Sequence, residues 1–289
     1  MLLGPYRNFT TLTSSVLALH PLISVFNHGG ERVFGRPDID FTNGYTNQKF
    51  DAFCAFALEA AKGGKKGSYG GSITHSGAFH RNENIKEKYL ELYQHGKDQA
   101  PKCLLWKEPH RLLYHLRAND FDFEKLFSQN QKIRFLIPVR NIFDCACSNF
   151  ITGHFTIGFQ GLRNDPNYIS GNMAEREKMI NSPEAQSKVL DVIDMLLKDL
   201  RFFSELNNLF PGKFLFYFQH EEPKQIFDNI LEFLNLGIDN GSIHSQFEIR
   251  PIKYTLSNRM HSEILRKIDA YFSDNAEMNF NLARFFEVE

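Results

Sequence analysis

The stretch MLLGPYRNFTTLTSSVLALHP (residues 1–21) sets the architecture, because it reads as a strand, a loop and a helix in immediate succession. A short apolar run ends at Gly4, and apolar residues then repeat at helical spacing from Leu12. Backbone N–H groups at a helix N-terminus have no partner within the helix and carry positive partial charge. With Arg7 in the loop, the stretch predicts an anion site where a strand passes into a helix.

The same alternation of strand and helix continues along the chain. Short apolar runs of strand character precede stretches with helical periodicity. The strand-like runs are 1–4, 22–26, 103–106, 132–139 and 213–218. Alternation of this kind is typical of a parallel sheet covered by helices on both faces. We expect an α/β fold: a single P-loop-like domain over residues 1–289, with a central parallel sheet of about five strands.

The composition of the chain disfavours some classes of binding partner. With 33 basic and 34 acidic residues the net charge is −1, which favours neither nucleic acid nor an anionic membrane surface as a partner. No apolar run reaches the length of a membrane span, about 18 residues, and no signal peptide precedes Gly4. The four cysteines lack zinc-ligand spacing, so we expect free, buried or half-buried thiols and a soluble, cytoplasmic protein. The 29 phenylalanines predict an aromatic interior.

The loop departs from a nucleotide-triphosphate loop of the Walker type. That loop requires a second glycine, then lysine, then a serine or threonine for Mg²⁺. Counted from Gly4, those positions hold Phe9, Thr10 and Thr11, and the basic residue is Arg7 instead. ATP hydrolysis is therefore disfavoured.

The same loop resembles the 5′-phosphosulfate loop of sulfotransferases, which use 3′-phosphoadenosine 5′-phosphosulfate. The family pattern reads roughly Gly-x-x-Arg/Lys-Ser-Gly-Thr-Thr-Leu, and an HP dipeptide typically follows, as it does here at 20–21. Asn8 and Phe9 stand where the family has serine and glycine. The positions that match are Gly4, Arg7, Thr10, Thr11 and Leu12.

A second segment, FLIPVRNIFDCACSNF (135–150), resembles the family's 3′-phosphate segment. Arg140, Asn141, Asp144 and Ser148 fall in register with it. An arginine at a strand end can form a charge-assisted fork with a phosphate, and a serine two helical turns later can return its hydroxyl to the same side. The resemblance implies that the donor is bound by Arg7, Asn8, Phe9, Thr10, Thr11, Leu12, Arg140 and Ser148, and by one of Arg250, Lys253 and Arg259.

Three residues are expected to take part in the transfer of the sulfuryl group itself. HGGERVF resembles the segment where tyrosine- and polysaccharide-type sulfotransferases carry a glutamate base, which makes Glu31 the expected general base. The pattern is closer to bacterial and Golgi-type members than to the cytosolic enzymes acting on small phenols. LLWKEPH resembles the family's Lys-x-Pro segment, so Arg7 and Lys107 are the expected cations around the transferred group.

Several assignments stay open. His28 and His110 are alternative bases, because small-molecule sulfotransferases use a histidine near a Lys-x-His segment. Arg32 positions either substrate or base. The loop 153–171, which contains His154, has the composition of an acceptor-binding loop or of a packed surface loop. KGGKKGSYGGS (62–72) is a lid over an anionic substrate or a solvated loop.

Together these features predict transfer of a sulfuryl group from 3′-phosphoadenosine 5′-phosphosulfate to a hydroxyl- or amine-bearing acceptor, without a metal. The acceptor and the oligomeric state are not readable from the sequence. The alternatives are a small-molecule kinase with a P-loop and a degenerate relative that binds nucleotide without catalysis. Phe9→Gly discriminates the last alternative, since it restores the family's loop glycine.

Overall fold

The computed structural model describes residues 1–5, 7–64, 70–93, 97, 99–151, 178, 182–237, 243–248 and 258–274. These residues form a mixed α/β structure with small sheets of two and three strands. The strands are β1 (Ile23–Asn27), β2 (Gly71–Ser72), β3 (Cys103–Lys107), β4 (Phe135–Val139) and β5 (Phe214–Phe218). The helices are α1 (Thr10–Leu17), α2 (Gly30–Val33), α3 (Asn47–Ala60), α4 (Gly77–Arg81), α5 (Glu83–Leu92), α6 (Pro109–Ala118), α7 (Phe123–Gln129), α8 (Ile142–Ile151), α9 (Pro183–Leu209), α10 (Pro223–Phe233) and α11 (Asn258–Asp274).

The described residues fall into two compact units. The first contains the described parts of Met1–Gly4, Phe9–Pro138 and Leu215–Ile249. The second contains those of Pro5–Asn8, Val139–Phe214 and Arg250–Glu289. The single domain expected over 1–289 stays a prediction.

In the first unit, β1 lies at the centre of a three-stranded sheet. It pairs in parallel with β3, from Ile23 opposite Cys103 to Asn27 opposite Lys107. On its other edge it pairs antiparallel with the short β2. The parallel pair brings the ends of two predicted strands together, so the residues that follow β1 lie beside the end of β3.

The strand expected at 1–4 is reduced to one bridging residue. Leu2 forms parallel bridges to Lys107 and to Leu136. Its N–H donates to the carbonyl of Trp106 at 2.9 Å, and the N–H of Leu3 donates to that of Leu136 at 3.0 Å. β4 pairs separately with β5.

Aromatic side chains fill the interior of this unit, as the phenylalanine content predicts. The Trp106 ring lies 4.6 Å from that of Phe53 and 6.2 Å from that of Phe26, between ring centroids. Phe41 packs 4.9 Å from Phe53. Trp106, Phe26, Phe41 and Phe53 are each essentially inaccessible to solvent, so this cluster fixes α3 against the sheet.

The second unit is helical. The strong periodicity at 184–207 is confirmed as helix α9, which packs against α8 and α11. Asp194 on α9 pairs with Lys267 on α11 at 2.7 Å, and the Tyr271 hydroxyl donates to the carbonyl of Leu197 at 3.1 Å. These two contacts hold α11 against α9.

The cysteines behave as expected. Cys145 and Cys147 are buried free thiols on α8, and Cys54 and Cys103 are half-buried free thiols. Burial raises the pKa of Cys145 and of Cys147 to about 12, so both stay protonated near neutral pH. They serve packing.

Candidate functional site

The N-terminus of α1 carries the loop residues expected to meet a phosphosulfate. Thr10 is buried, whereas Thr11 and Leu12 are half-buried. The Thr11 carbonyl accepts the hydroxyls of Ser14, at 3.0 Å, and Ser15, at 2.8 Å, which secures the first turn of the helix. Thr10, Thr11 and Leu12 therefore lie in the first turn of α1, where the N–H groups of a helix have no partner within the helix itself.

Phe9 occupies the position where the resembling family has glycine, and its backbone keeps a conformation that favours glycine. Its φ is 37° and its ψ is 18°, in the left-handed region. Its ring packs 5.9 Å from Tyr217 and, edge to face, 6.0 Å from Phe247. Aromatic packing thus holds a conformation that is costly for a residue with a Cβ.

Arg7, Arg140 and Ser148 lie together in the second unit. The Nε of Arg7 donates to the hydroxyl of Ser148 at 2.8 Å, across 141 positions of sequence. The guanidinium of Arg140 donates to the Arg7 carbonyl at 3.0 Å. The structure therefore joins the basic residue of the first motif to the arginine and serine of the second.

This cluster has the positive charge and the donor groups of an anion site. Arg7 is exposed, whereas Arg140 is 8 % exposed and Ser148 is fully buried. The buried Nε of Arg140 has no hydrogen-bond partner among the described residues. Asp144 approaches Arg140 at 3.8 Å. Guanidinium N–H groups such as those of Arg7 and Arg140 suit the oxygens of a phosphate.

The asparagine after Arg140 has a local role. Its side-chain oxygen accepts the N–H of Phe143 at 3.0 Å and that of Asp144 at 3.2 Å, which caps the start of α8. Asn141 therefore turns the chain from β4 into α8, and that turn places Ser148 in reach of Arg7. Asn8, next to Arg7, is buried.

A second polar cluster lies at the ends of β1 and β3 in the first unit. The Nζ of Lys107 lies 2.6 Å from Nε2 of His28. The Nδ1 of His28 lies 3.3 Å from Oε1 of Glu108, and the other oxygen of Glu108 accepts the N–H of Gly30 at 2.8 Å. The parallel register of β1 and β3 produces this contact, because both strands end at the same level.

Burial governs the protonation of this cluster. It lowers the pKa of Lys107 to about 8, against a smaller opposing effect of the Glu108 charge. Burial and the charge of Lys107 lower the pKa of His28, so the imidazole is neutral near pH 7. Burial alone would raise the pKa of Glu108, but its hydrogen bonds to His28 and Gly30 and the nearby positive charge bring the pKa below its usual value.

The expected base, Glu31, lies outside that cluster. It sits on the short helix α2, its side chain is half exposed, and it pairs with Arg111 at 3.0 Å. Arg32 donates to the carbonyl of Gly70 and lies over the ring of Phe56 at 4.9 Å. His110 is buried at the start of α6. Whether Glu31 acts as the base stays a prediction.

Glu108 is a residue of this cluster that the sequence motifs did not predict. It lies between Lys107 and Pro109, where a strand ends and a helix begins, and the resemblance draws attention to the lysine alone. An acidic residue directly beside a predicted catalytic lysine at the end of a buried strand is the signal that could have found it. It is fully buried.

Some predicted residues fall outside the described part of the chain. These are His154 with the loop 153–171, Arg250, Lys253 and the centre of the glycine- and lysine-rich loop, 65–69. Arg259 is described and is exposed on α11.

Comparison with models of protein families and with curated proteins finds no match for this chain. Within the described ranges, none of the helices combines the length and the apolar character needed to cross a membrane. Among the same residues, no three His, Cys, Asp or Glu side chains form a group that could hold a metal ion.

Proposed function

We propose that the chain is a sulfotransferase that moves a sulfuryl group from 3′-phosphoadenosine 5′-phosphosulfate to a hydroxyl or amine. The observation that carries the proposal is the 2.8 Å hydrogen bond from Arg7 to Ser148. Each residue belongs to one of two segments that resemble the donor-binding segments of that family, and 141 positions of sequence separate them. The contact therefore brings together one residue of each of the two motifs.

The Arg7, Arg140 and Ser148 cluster would bind the phosphate groups of the donor. Its buried Arg140 Nε is a donor that an anion would satisfy. The Ser148 hydroxyl lies in the same cluster, 2.8 Å from the Nε of Arg7. Charged hydrogen bonds of this type contribute about 1.5–3 kcal/mol each. Loss of the Arg140 or the Ser148 side chain should therefore weaken binding of the donor by about one to two orders of magnitude.

Lys107 and Glu31 would take the transfer chemistry. The acceptor oxygen or nitrogen attacks sulfur in line, the bond from sulfur to the bridging phosphate oxygen breaks, and negative charge grows on that oxygen. The ammonium of Lys107 neutralises such charge. The acceptor proton passes to a base, for which Glu31 is the candidate from the sequence. The donor supplies the activated sulfuryl group.

The proposed function also implies a particular sheet arrangement and a cellular location. We infer one P-loop-like domain with a continuous parallel sheet of five strands, and the parallel bridges of Leu2 to Lys107 and Leu136 support it. We also propose that the protein is soluble and cytoplasmic; the four free thiols fit a reducing compartment, since oxidising compartments favour disulfides.

Calorimetric titration with adenosine 3′,5′-bisphosphate tests the proposal. We expect micromolar binding without Mg²⁺ for the wild type, and a loss of about 10- to 100-fold for Arg140→Ala. Arg201→Ala is the matched control, because Arg201 is an exposed arginine of the same unit that forms an ion pair with Glu205 on its own helix. Absence of binding, or preference for Mg²⁺–ATP, would overturn the sulfotransferase and favour the kinase. Binding without turnover would favour the degenerate relative.

A further inference from the structure

We propose that His28 and Glu108 are positioning residues for Lys107: Glu108 fixes the imidazole of His28, and His28 holds the Lys107 ammonium at the end of β3. The inference deepens the proposed function and rests on it for the role of Lys107. It assigns the functional carboxylate of this region to Glu108, on the residue after the lysine, in addition to the expected Glu31.

The hydrogen bonds determine one arrangement of protons. The ammonium of Lys107 can only donate, so Nε2 of His28, 2.6 Å away, must accept. A neutral imidazole then carries its proton on Nδ1, which donates to Oε1 of Glu108 at 3.3 Å. The other oxygen of Glu108 accepts the N–H of Gly30 at 2.8 Å. Each member has its partner, and the assignment follows from the network.

The backbone independently fixes His28 against β3. Its N–H donates to the carbonyl of Lys107 at 2.7 Å, and its own carbonyl accepts the indole N–H of Trp106 at 2.8 Å. Its φ is 59°, a left-handed conformation that residues other than glycine adopt at a cost. The next residue, Gly29, has φ 97° and lies against the ring of Phe26 so closely that a Cβ would collide with it. The fold thus maintains a costly turn that presents the imidazole to Lys107.

Burial makes the network sensitive to the loss of any member. Lys107 is 2 % exposed and Glu108 is fully buried, so each charge depends on the other groups for compensation. Lys107, Glu108 and Arg111 shift the pKa of His28, and Arg111 is itself paired with Glu31. Removing the charge of Glu108 would leave the ammonium without its buried counter-charge.

Held in this way, Lys107 stabilises charge at one defined point. A preformed donor contributes more than a mobile one, because no reorganisation is needed when charge grows on the leaving oxygen. Loss of one preorganised donor in other enzymes costs about 100- to 1000-fold in rate. Glu108→Gln and His28→Asn displace the Lys107 ammonium without removing it. We therefore expect a smaller loss in rate, of about 10- to 100-fold.

The test uses the full chain and two independent readouts. The first is the titration of Lys107 Nζ by NMR of ¹⁵N-lysine protein, with the signal assigned by Lys107→Arg. The second is the slow release of sulfate from ³⁵S-labelled 3′-phosphoadenosine 5′-phosphosulfate, in which water is the acceptor. His28→Asn retains a residue that tolerates the left-handed backbone. Asp40→Asn is the control, because Asp40 is a buried carboxylate of the same unit that accepts the N–H groups of Gly35 and Thr42.

We expect Glu108→Gln to lower the midpoint of the Lys107 titration by about one pH unit, because an opposite charge that favours the ammonium is lost. Asp40→Asn should leave that midpoint and sulfate release unchanged. A Lys107 titration equal to the wild type in Glu108→Gln, or equal rates in His28→Asn, would overturn the inference.

Failure of the proposed function gives a different result. Adenosine 3′,5′-bisphosphate would then not bind the wild type, while the Lys107 titration still reports the network. Unchanged affinity for adenosine 3′,5′-bisphosphate in Glu108→Gln shows that the variant is folded.

Discussion

Replacing Phe9 by glycine and by alanine separates two energies that oppose each other at the start of α1. The left-handed backbone of Phe9, with φ 37°, disfavours any residue with a Cβ by about 1–2 kcal/mol. The half-buried ring offsets that cost through contacts with Tyr217 and Phe247. Two such aromatic pairs contribute about 0.5–1.5 kcal/mol each beyond the burial of apolar area.

The two variants should therefore fall in a defined order. Loss of the ring costs about 2–4 kcal/mol when partial burial of the side chain is included. Glycine recovers about 1 kcal/mol of that by relieving the backbone, whereas alanine recovers nothing. We expect the free energy of unfolding to fall in both variants, and to fall about 1 kcal/mol further in Phe9→Ala than in Phe9→Gly.

Urea unfolding followed by far-UV circular dichroism measures the difference. A double-mutant cycle of Phe9→Leu with Phe247→Leu isolates the ring contact, and a coupling energy of about 0.5–1.5 kcal/mol is expected. An alanine variant at least as stable as the glycine variant would show that the backbone of residue 9 is not strained. A glycine variant more stable than the wild type would show that the ring contributes less than the relief of the backbone.

Three further changes test other parts of the structure. Burial lowers the pKa of Lys107 from 10.5 to about 8. Between these two pH values the unfolded chain binds more protons than the folded one, so the free energy of unfolding rises with pH. Lys107→Met should flatten that rise when urea unfolding is measured across this pH range. Tyr217→Phe removes a buried hydrogen bond to the hydroxyl of Thr13 at 2.9 Å, and thermal unfolding should show a loss of about 1–3 kcal/mol that is smaller when Thr13 is already valine. Asp122 caps α7 by accepting the N–H of Lys125 at 2.8 Å, so Asp122→Ala should cost about 1 kcal/mol in chemical unfolding and Asp122→Asn much less.

The strands and helices that carry periodic apolar residues were predictable. The helix predicted around Leu12 begins at Thr10. The long stretch of helical periodicity that ends near Leu209 forms α9, and the apolar run that ends at Val139 forms β4. Local pattern sufficed there because each element buries a face of its own sequence. The segment 1–4 differs, since only Leu2 pairs with its neighbours.

The candidate site was predictable only where a motif names the residue. Arg7, Arg140 and Ser148 follow from the two resembling segments. Glu108 does not, because its role depends on the parallel register that brings His28 to the end of β3. Phe9 was readable as a departure from the family pattern, but its contacts with Tyr217 and Phe247 join positions more than 200 residues apart in sequence and could not be inferred locally.

Selectivity for a 3′-phosphate is the property that most clearly distinguishes a sulfotransferase donor site from other nucleotide sites. Calorimetry compares the affinity for adenosine 3′,5′-bisphosphate with that for adenosine 5′-monophosphate, which lacks only the 3′-phosphate, in the wild type, Arg140→Ala, Ser148→Ala and the control Arg201→Ala. We expect a preference of about 100-fold or more in the wild type and the control, and a preference reduced by about 10- to 100-fold in the other two variants. Equal affinity for the two nucleotides in the wild type, or a preference that survives Arg140→Ala unchanged, would contradict the proposed function.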